Sequence, residues 1–313
     1  MRFLIFGTGG VGGYFGAKLA NDGVDVWFLA RGEHYEAMRA NGLRIKSAEE
    51  NFVIPPGKII SRIEDAGKAD VVFFCVKSYD TVDAAKQLEP VLHRDSIIIS
   101  FQNGIDNEEK IQAVIPCGTV IGGTAYISSA ITAPGEITRL GPSKKIIFGP
   151  LNGETTDVHR EIRDAACHAG IDAILSNDIV VELWKKFIFL APVAGFTAIT
   201  RLTMGEITAS EHSRTLFYNS MKEIEVIACK LGINIPAGFV DETMEKILGI
   251  YSRTRSSLFF DLKNGKQLEI DALSGTVVRM GKELDIPTPI HHFIYSMLLP
   301  HHVAAKQRLG ISS

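Results

Sequence analysis

A chain of 313 residues is long for one hydrophobic core and comfortable for two domains, and 46% hydrophobic with 22% charged residues is ordinary globular chemistry, not disorder. A formal net charge of −3 without any long basic run argues against nucleic acid as a partner, because surfaces that track phosphates need clustered Lys and Arg. Cys75, Cys117, Cys167 and Cys229 lie far apart with no CxxC pairing, which points away from a zinc site or a disulfide framework and toward a reducing compartment.

The chain starts in the apolar strand pattern Met1-Arg2-Phe3-Leu4-Ile5-Phe6, with no charged n-region and cleavage site, so a cytoplasmic protein without a signal peptide is expected. The strand runs straight into Gly7-Thr8-Gly9-Gly10-Val11-Gly12 and then a helical pattern from Tyr14 to Leu19. A strand, a GxGxxG turn and a helix start form a cradle for a dinucleotide pyrophosphate. Gly7 permits the tight turn, Gly9 lets the backbone approach the phosphates, and Gly12 lets the helix pack on the strand. The free N–H groups of the helix start then face the anion. A second strand follows over Val24 to Leu29. Its end normally carries an acid for the ribose 2′-hydroxyl of NAD, but here Ala30-Arg31-Gly32-Glu33 stands instead. A guanidinium suits a phosphate, so NADP(H) is the expected cofactor. The alternative for Arg31 is an ion pair with Glu33 in a solvated loop.

A helical stretch over Tyr35 to Asn41 precedes two apolar runs, Val71 to Val76 and Ile97 to Phe101, which read as parallel strands buried on both faces. Lys77-Ser78 and Gln102-Asn103-Gly104 follow them directly, at the carboxyl ends where open α/β sheets bind ligands. Further β-like segments cover Val120 to Ile127, Gly135 to Leu140 and Lys145 to Phe148, and an amphipathic helix runs from about Thr156 to Ala169. From Asp178 onward the pattern is helical: Val180 to Ile199, Glu211 to Leu231, Phe239 to Leu248, Ser256 to Lys263, Leu268 to Leu284 and His291 to Gln307. The most apolar run, Phe187 to Thr200, is shorter than the roughly 20 residues of a membrane span and reads as a buried helix. The expected fold is therefore α/β, with an N-terminal Rossmann-type parallel-sheet domain over residues 1–178 and an all-helical domain over 179–313. A ligand site is expected in the cleft between them.

Hydride transfer to a carbonyl leaves negative charge on oxygen, so a positive donor or a proton must be supplied there. Lys186, in Glu182-Leu183-Trp184-Lys185-Lys186-Phe187, precedes the long apolar run and is placed to be partly desolvated. Its plainer reading is an i,i+4 surface pair with Glu182. The pairs His291-His292 and His301-His302 do not have zinc spacing, so no metal is expected and a solvated or interfacial helix is read there. Phe293, Tyr295 and Leu298 fit either a homodimer face or a core.

Taken in order, GTGGVG, Arg31, Cys75-Val76-Lys77-Ser78, Gln102-Asn103-Gly104, Glu182-Leu183-Trp184-Lys185-Lys186 and Ser256-Ser257 twelve residues before Glu269-Ile270-Asp271 resemble the ketopantoate reductase (2-dehydropantoate 2-reductase) family over nearly the whole chain. The resemblance implies NADPH-dependent reduction of a small 2-oxo acid to a 2-hydroxy acid, in pantothenate synthesis for the true ketopantoate reductases. It implies Lys186 as the catalytic acid and Glu269 as its partner. Ser257 becomes a substrate-binding serine, and Asn103 a contact to substrate and nicotinamide ribose. The turn Gly7, Thr8, Gly9, Gly10, Val11, Gly12 together with Lys77 and Arg31 becomes the cofactor side, with Arg31 near the 2′-phosphate. Without the resemblance, Glu269 reads as a helix-start acid, Ser257 as a helix hydroxyl and Asn103 as an Asx turn.

The chain departs from that pattern where the family's best-known form carries three substrate-side asparagines. Four and eight residues beyond Lys186 stand Leu190 and Ala194, and the third position is Met204. A pocket without those polar partners selects weakly for a substrate hydroxyl, which points to a more apolar 2-oxo acid. Thr197, Thr254 or Arg253 would restore the contacts by another route. A 3-hydroxy acid or opine-type dehydrogenase on the same plan, and a non-catalytic NADP(H)-binding protein, are the competing readings.

Overall fold

The computed structural model describes residues 1–310; residues 311–313, the end of the second expected domain, lie outside the described residues. The chain divides into two compact units. The first comprises Met1–Gln102 and Asp106–Glu182, and the second comprises Asn103–Ile105 and the chain from Leu183 onward.

In the first unit the order is β1 (Arg2–Phe6), α1 (Gly10–Asn21), β2 (Asp25–Leu29), α2 (Gly32–Asn41), β3 (Leu43–Lys46), β4 (Asn51–Ile54), β5 (Ile59–Ile60), β6 (Val71–Phe74), α3 (Thr81–Lys86), β7 (Ile97–Ser100), α4 (Asn107–Gln112), β8 (Thr119–Ala133), β9 (Glu136–Gly149), α5 (Asp157–His168) and β10 (Asp172–Leu175). The strands form one sheet in the order β4-β3-β9-β8-β7-β6-β1-β2-β5, with β10 paired to β9. From β5 through β2, β1, β6 and β7 to β8 every pairing is parallel, the doubly wound order whose direction reverses between β1 and β6. Alternation along β1 separates the two cores. Phe3 and Ile5 pack with Tyr14, Phe15 and Phe28 on one face, while Leu4 and Phe6 pack with Val72, Phe74 and Ile98 on the other. Each such fully buried side chain contributes about 1.5–3 kcal/mol.

The sheet differs from the sequence expectation at its far edge. Gly135 to Leu140 and Lys145 to Phe148, read as separate segments, are one strand, β9, which runs antiparallel to β8 around the two-residue turn Pro134-Gly135. Gly135 takes φ +78°, which suits glycine in that turn. The polar stretch Gly141-Pro142-Ser143 falls in a register irregularity between the pairs Ser129–Arg139 and Ile127–Lys144, and the regular pairing on either side carries the strand through it.

The second unit takes up the chain part-way along α6 (Ile179–Thr200) and continues with α7 (Met204–Thr208), α8 (Glu211–Lys230), α9 (Phe239–Leu248), α10 (Ser257–Lys263), α11 (Thr276–Glu283) and α12 (Pro289–Arg308). The expected helix over Leu268 to Leu284 is shorter than the sequence pattern. Residues 266–269 are non-helical, a five-residue π turn occupies Asp271–Gly275, and α11 begins only at Thr276. Helix α6 continues through Pro192, and Gly195 brings it against α12, since a Cβ there would stand 2.5 Å from Ile294 Cγ2. Among the described residues no helix is long and apolar enough to cross a membrane.

The solvated or interfacial helix expected for the histidine pairs holds for only one histidine of each pair. One member of each is core: His291 and His302 are buried, while His292 and His301 face out. His291 lies between Ser274 Oγ and the Ser220 carbonyl, each 3.1 Å away, so the ring donates from Nε2 and accepts at Nδ1. Leu298 is core, whereas Phe293 is 55% exposed.

Burial pushes the His291 imidazole down to about 4, against the favourable pull of the Ser220 carbonyl. Below its unfolded value of 6.5 the unfolded chain binds a proton that the folded chain refuses, so stability falls as pH drops from 6.5 toward 4. Urea unfolding at pH 7 and pH 4.5 is expected to show a loss of about 2–3 kcal/mol from this group. His291→Gln removes that part of the pH slope, and an unchanged slope in the variant refutes the assignment.

Candidate functional site

The glycine turn is built by contacts that each glycine alone allows. Gly7 has φ +103°, and a Cβ there would lie 2.8 Å from the Cys75 carbonyl carbon. A Cβ on Gly12 would lie 2.5 Å from the Gly7 carbonyl oxygen, and one on Gly10 would lie 2.5 Å from the Ser129 carbonyl oxygen. At Gly9 a Cβ would meet nothing within 4 Å. The turn is therefore closed on the strand side at Gly7, Gly10 and Gly12, and open at Gly9.

Thr8 locks this turn to the neighbouring strand: its buried hydroxyl donates to the Leu29 carbonyl at 2.8 Å. Helix α1 has no acid in its first turn and no side-chain cap, and geometry leaves the first N–H groups of a helix without intrahelical acceptors. Ser129, whose backbone carbonyl stands against Gly10, has a buried Oγ with no hydrogen-bond partner. Open space, unsatisfied donors and a positive helix end fit the pyrophosphate of a dinucleotide.

Arg31 stands just before α2, and its guanidinium bonds not to Glu33 but to Asp80 Oδ2, at 3.2 Å. Asp80 closes the short turn Ser78–Asp80 that follows the half-buried Lys77. That turn is braced from beneath. Buried Gln102 donates to the Val76 carbonyl at 3.0 Å and to Thr81 Oγ1 at 2.8 Å, and Thr81 donates to the Ser78 carbonyl. Thus Gln102 ties the loop after β6 to the loop after β7. Near it, burial pushes the Glu108 carboxyl up to about 7, opposed by hydrogen bonds from Ser100 and the Gly123 N–H. Sequence reasoning placed Gln102 in a candidate ligand loop without its bracing role, and it missed Asp80 and Glu108, because each acts through a partner on another element.

Lys186, Glu269, Asn103 and Ser257 belong to the second unit, Asn103 because the 103–105 loop groups with the helices although it follows β7. Lys186 is half-buried on α6, behind the core residues Leu183 and Trp184 and ahead of Phe187 and Ile188. Burial pushes its ammonium down to about 8, and the Glu269 carboxylate pulls it back up. Glu269 is only 6% exposed, at the end of the non-helical stretch that precedes the π turn. It is not a helix-start acid: the buried Ile270 carbonyl next to it accepts the i→i+5 bond from Gly275 that marks the π turn.

The serine pair divides the work. Ser256 is buried and caps α10 by accepting from the Phe259 N–H at 3.1 Å, and it bonds Thr197 Oγ1 at 2.8 Å, while Ser257 is exposed at the first turn of the helix. Thr197 is committed to Ser256 and the Val193 carbonyl, a structural task. Thr254 offers its carbonyl to the Met204 N–H, and Arg253 is exposed. Leu190 is half-buried, and Ala194 and Met204 are buried and apolar. Among the described residues no group of three or more His, Cys, Asp or Glu side chains is placed to hold a metal.

A doubly wound sheet with a glycine turn, joined to a helical unit holding a half-buried lysine and a buried carboxylate, is the architecture of a dinucleotide-dependent oxidoreductase. Comparison with known proteins agrees. The model for ketopantoate reductase PanE/ApbA matches residues 3–153, and that for the C-terminal region of the same family matches residues 178–302. The chain belongs to the ketopantoate reductase PanE/ApbA family. It is 33% identical to an uncharacterised oxidoreductase of Bacillus subtilis over 298 residues, 95% of this chain and 98% of that one. It is 32% identical to a 2-dehydropantoate 2-reductase of Mesorhizobium japonicum, covering 92% of this chain and 94% of the relative. A crystal structure of a PanE/ApbA family ketopantoate reductase from Ralstonia eutropha matches with a TM-score of 0.90 at 28% identity, over 98% of this chain and all of that one.

Proposed function

We propose that the protein reduces a 2-oxo acid to the 2-hydroxy acid with NADPH, with ketopantoate as substrate and pantoate, a precursor of pantothenate and coenzyme A, as product. The Lys186 and Glu269 pair carries this reading: a desolvated ammonium beside a buried carboxylate, in a chain whose two halves match the two ketopantoate reductase models.

When bound, the nicotinamide supplies the hydride. The protein's task is the charge that develops on the carbonyl oxygen. Protonated Lys186 donates to that oxygen and delivers its proton, and a value near 8 keeps it charged at neutral pH while leaving the proton easy to release. Glu269 favours the charged form of the lysine and orients it. Asn103 and Ser257 supply hydrogen bonds to the substrate, with Asn103 also reaching the nicotinamide ribose. On the cofactor side, the turn Gly7–Gly12 holds the pyrophosphate, and Lys77 and Arg31 meet the adenosine half. Residues 1–178 then bind the cofactor and 179–313 the substrate, with Asn103 reaching the substrate from the first segment.

Leu190, Ala194 and Met204 favour a second reading in which the substrate is a 2-oxo acid without the ketopantoate hydroxyl, because the positions that would hold that hydroxyl are apolar. Initial rates followed at the nicotinamide absorbance separate the two. A preference for ketopantoate over 3,3-dimethyl-2-oxobutanoate, which differs only by the missing hydroxyl, of at least about 100-fold is expected if other polar groups read the hydroxyl. Equal or reversed rates favour the second reading, and no turnover of any 2-oxo acid with NADPH sinks both.

A further inference from the structure

The strand end that lacks an acid in the sequence acquires one in the fold. Strands β2 and β6 flank β1 on its two sides, so the turns at their carboxyl ends converge. Through that convergence Asp80, 49 residues from Arg31 in the chain, places its carboxylate 3.2 Å from the guanidinium. The arginine side chain is 91% exposed, so the pair contributes little to stability. The carboxylate is nevertheless held in place: the Asp80 N–H donates to the Lys77 carbonyl at 2.9 Å, and the turn rests on the Gln102 and Thr81 hydrogen bonds.

We propose that Asp80 is a specificity-determining residue, which weakens the preference of this site for a 2′-phosphate over a 2′-hydroxyl. The inference rests on the reading that the glycine turn binds a dinucleotide with its adenosine ribose toward Arg31. A 2′-phosphate then shares the guanidinium with a fixed carboxylate and meets its repulsion. A 2′-hydroxyl instead finds an acceptor, the function usually supplied by an acid at the end of β2. Arg31 and Asp80 together make the site tolerant of both cofactors rather than strict for one.

Calorimetric titration of the full chain with NADP⁺ and NAD⁺, for the parent protein, Asp80→Asn and Arg31→Ala, tests this. Asp80→Asn is expected to tighten NADP⁺ by about threefold to fivefold, the scale of one exposed charge interaction. The same change weakens NAD⁺ by about twofold or more through loss of a charged acceptor. The NADP⁺ gain shrinks as salt rises through screening, and Arg31→Ala weakens NADP⁺ but not NAD⁺. Weaker NADP⁺ binding in Asp80→Asn makes the carboxylate a positioning group for Arg31 and overturns the proposal, as does an unchanged ratio of the two affinities. If both dinucleotides bind the parent with the ratio unmoved in the variant, only this inference fails. If neither binds the parent, the dinucleotide reading fails with it.

Discussion

Lys186→Met is expected to lower kcat for 2-oxo acid reduction by about 10²–10⁴-fold, the range lost when a positioned general acid is removed. The NADPH affinity of the variant is expected to stay at the parent value, because the role proposed for Lys186 is toward the substrate carbonyl and not toward the cofactor. In the parent, the reduction requires the protonated lysine, so log kcat/KM is level below about 8 and falls by about one unit per pH unit above it. Glu269→Gln removes the charge that raises the lysine and moves that break to lower pH. Turnover of Lys186→Met at the parent rate would remove Lys186 from the mechanism.

Two glycines three residues apart are expected to fail in different ways. At Gly12, a Cβ would press on the Gly7 carbonyl oxygen at 2.5 Å and on Cys75 Cβ at 2.9 Å. The backbone oxygen cannot yield without opening the turn. Gly12→Val is therefore expected to cost about 3 kcal/mol, a fall of roughly 6–12 °C in thermal midpoint, together with loss of NADPH binding. Gly9 has φ −91° and open space around its missing Cβ, so Gly9→Ala keeps the parent midpoint. Its new methyl group instead projects where the pyrophosphate approaches, and NADPH binding is expected to weaken at least about tenfold, as with other misplaced backbone-approach contacts. Differential scanning calorimetry and NADPH fluorescence titration read the two quantities separately. Normal NADPH affinity in Gly9→Ala would show that no phosphate lies against that turn.

These contrasts mirror what could be read from the chain. The β1, glycine-turn and α1 unit was legible because its signals are local: an apolar run, three glycines at fixed spacing and a helical period follow one another within about twenty residues. The long helices α6, α8, α9 and α12 were legible for the same reason, since an apolar stripe sustained over several turns outweighs local exceptions such as Pro192. Strands β3, β4, β5 and β10 escaped notice. They are short, with β3, β4 and β10 of mixed polarity and β5 only the pair Ile59-Ile60, and they exist because a neighbour offers a ladder of hydrogen bonds.

By itself the sequence determined the α/β-then-helical order and the glycine turn between β1 and α1, because these follow from residue type and spacing, and it carried the family resemblance that implied Lys186 and Glu269 as partners. Only the tertiary structure decided that Asp80 rather than Glu33 meets Arg31, that Ser256 and Thr197 are structural while Ser257 is exposed, and that one histidine of each pair is buried. It also decided that burial lowers Lys186. The physical reason is common to all four: a side chain's partner, solvation and charge state depend on groups distant in sequence, which the fold alone brings within reach.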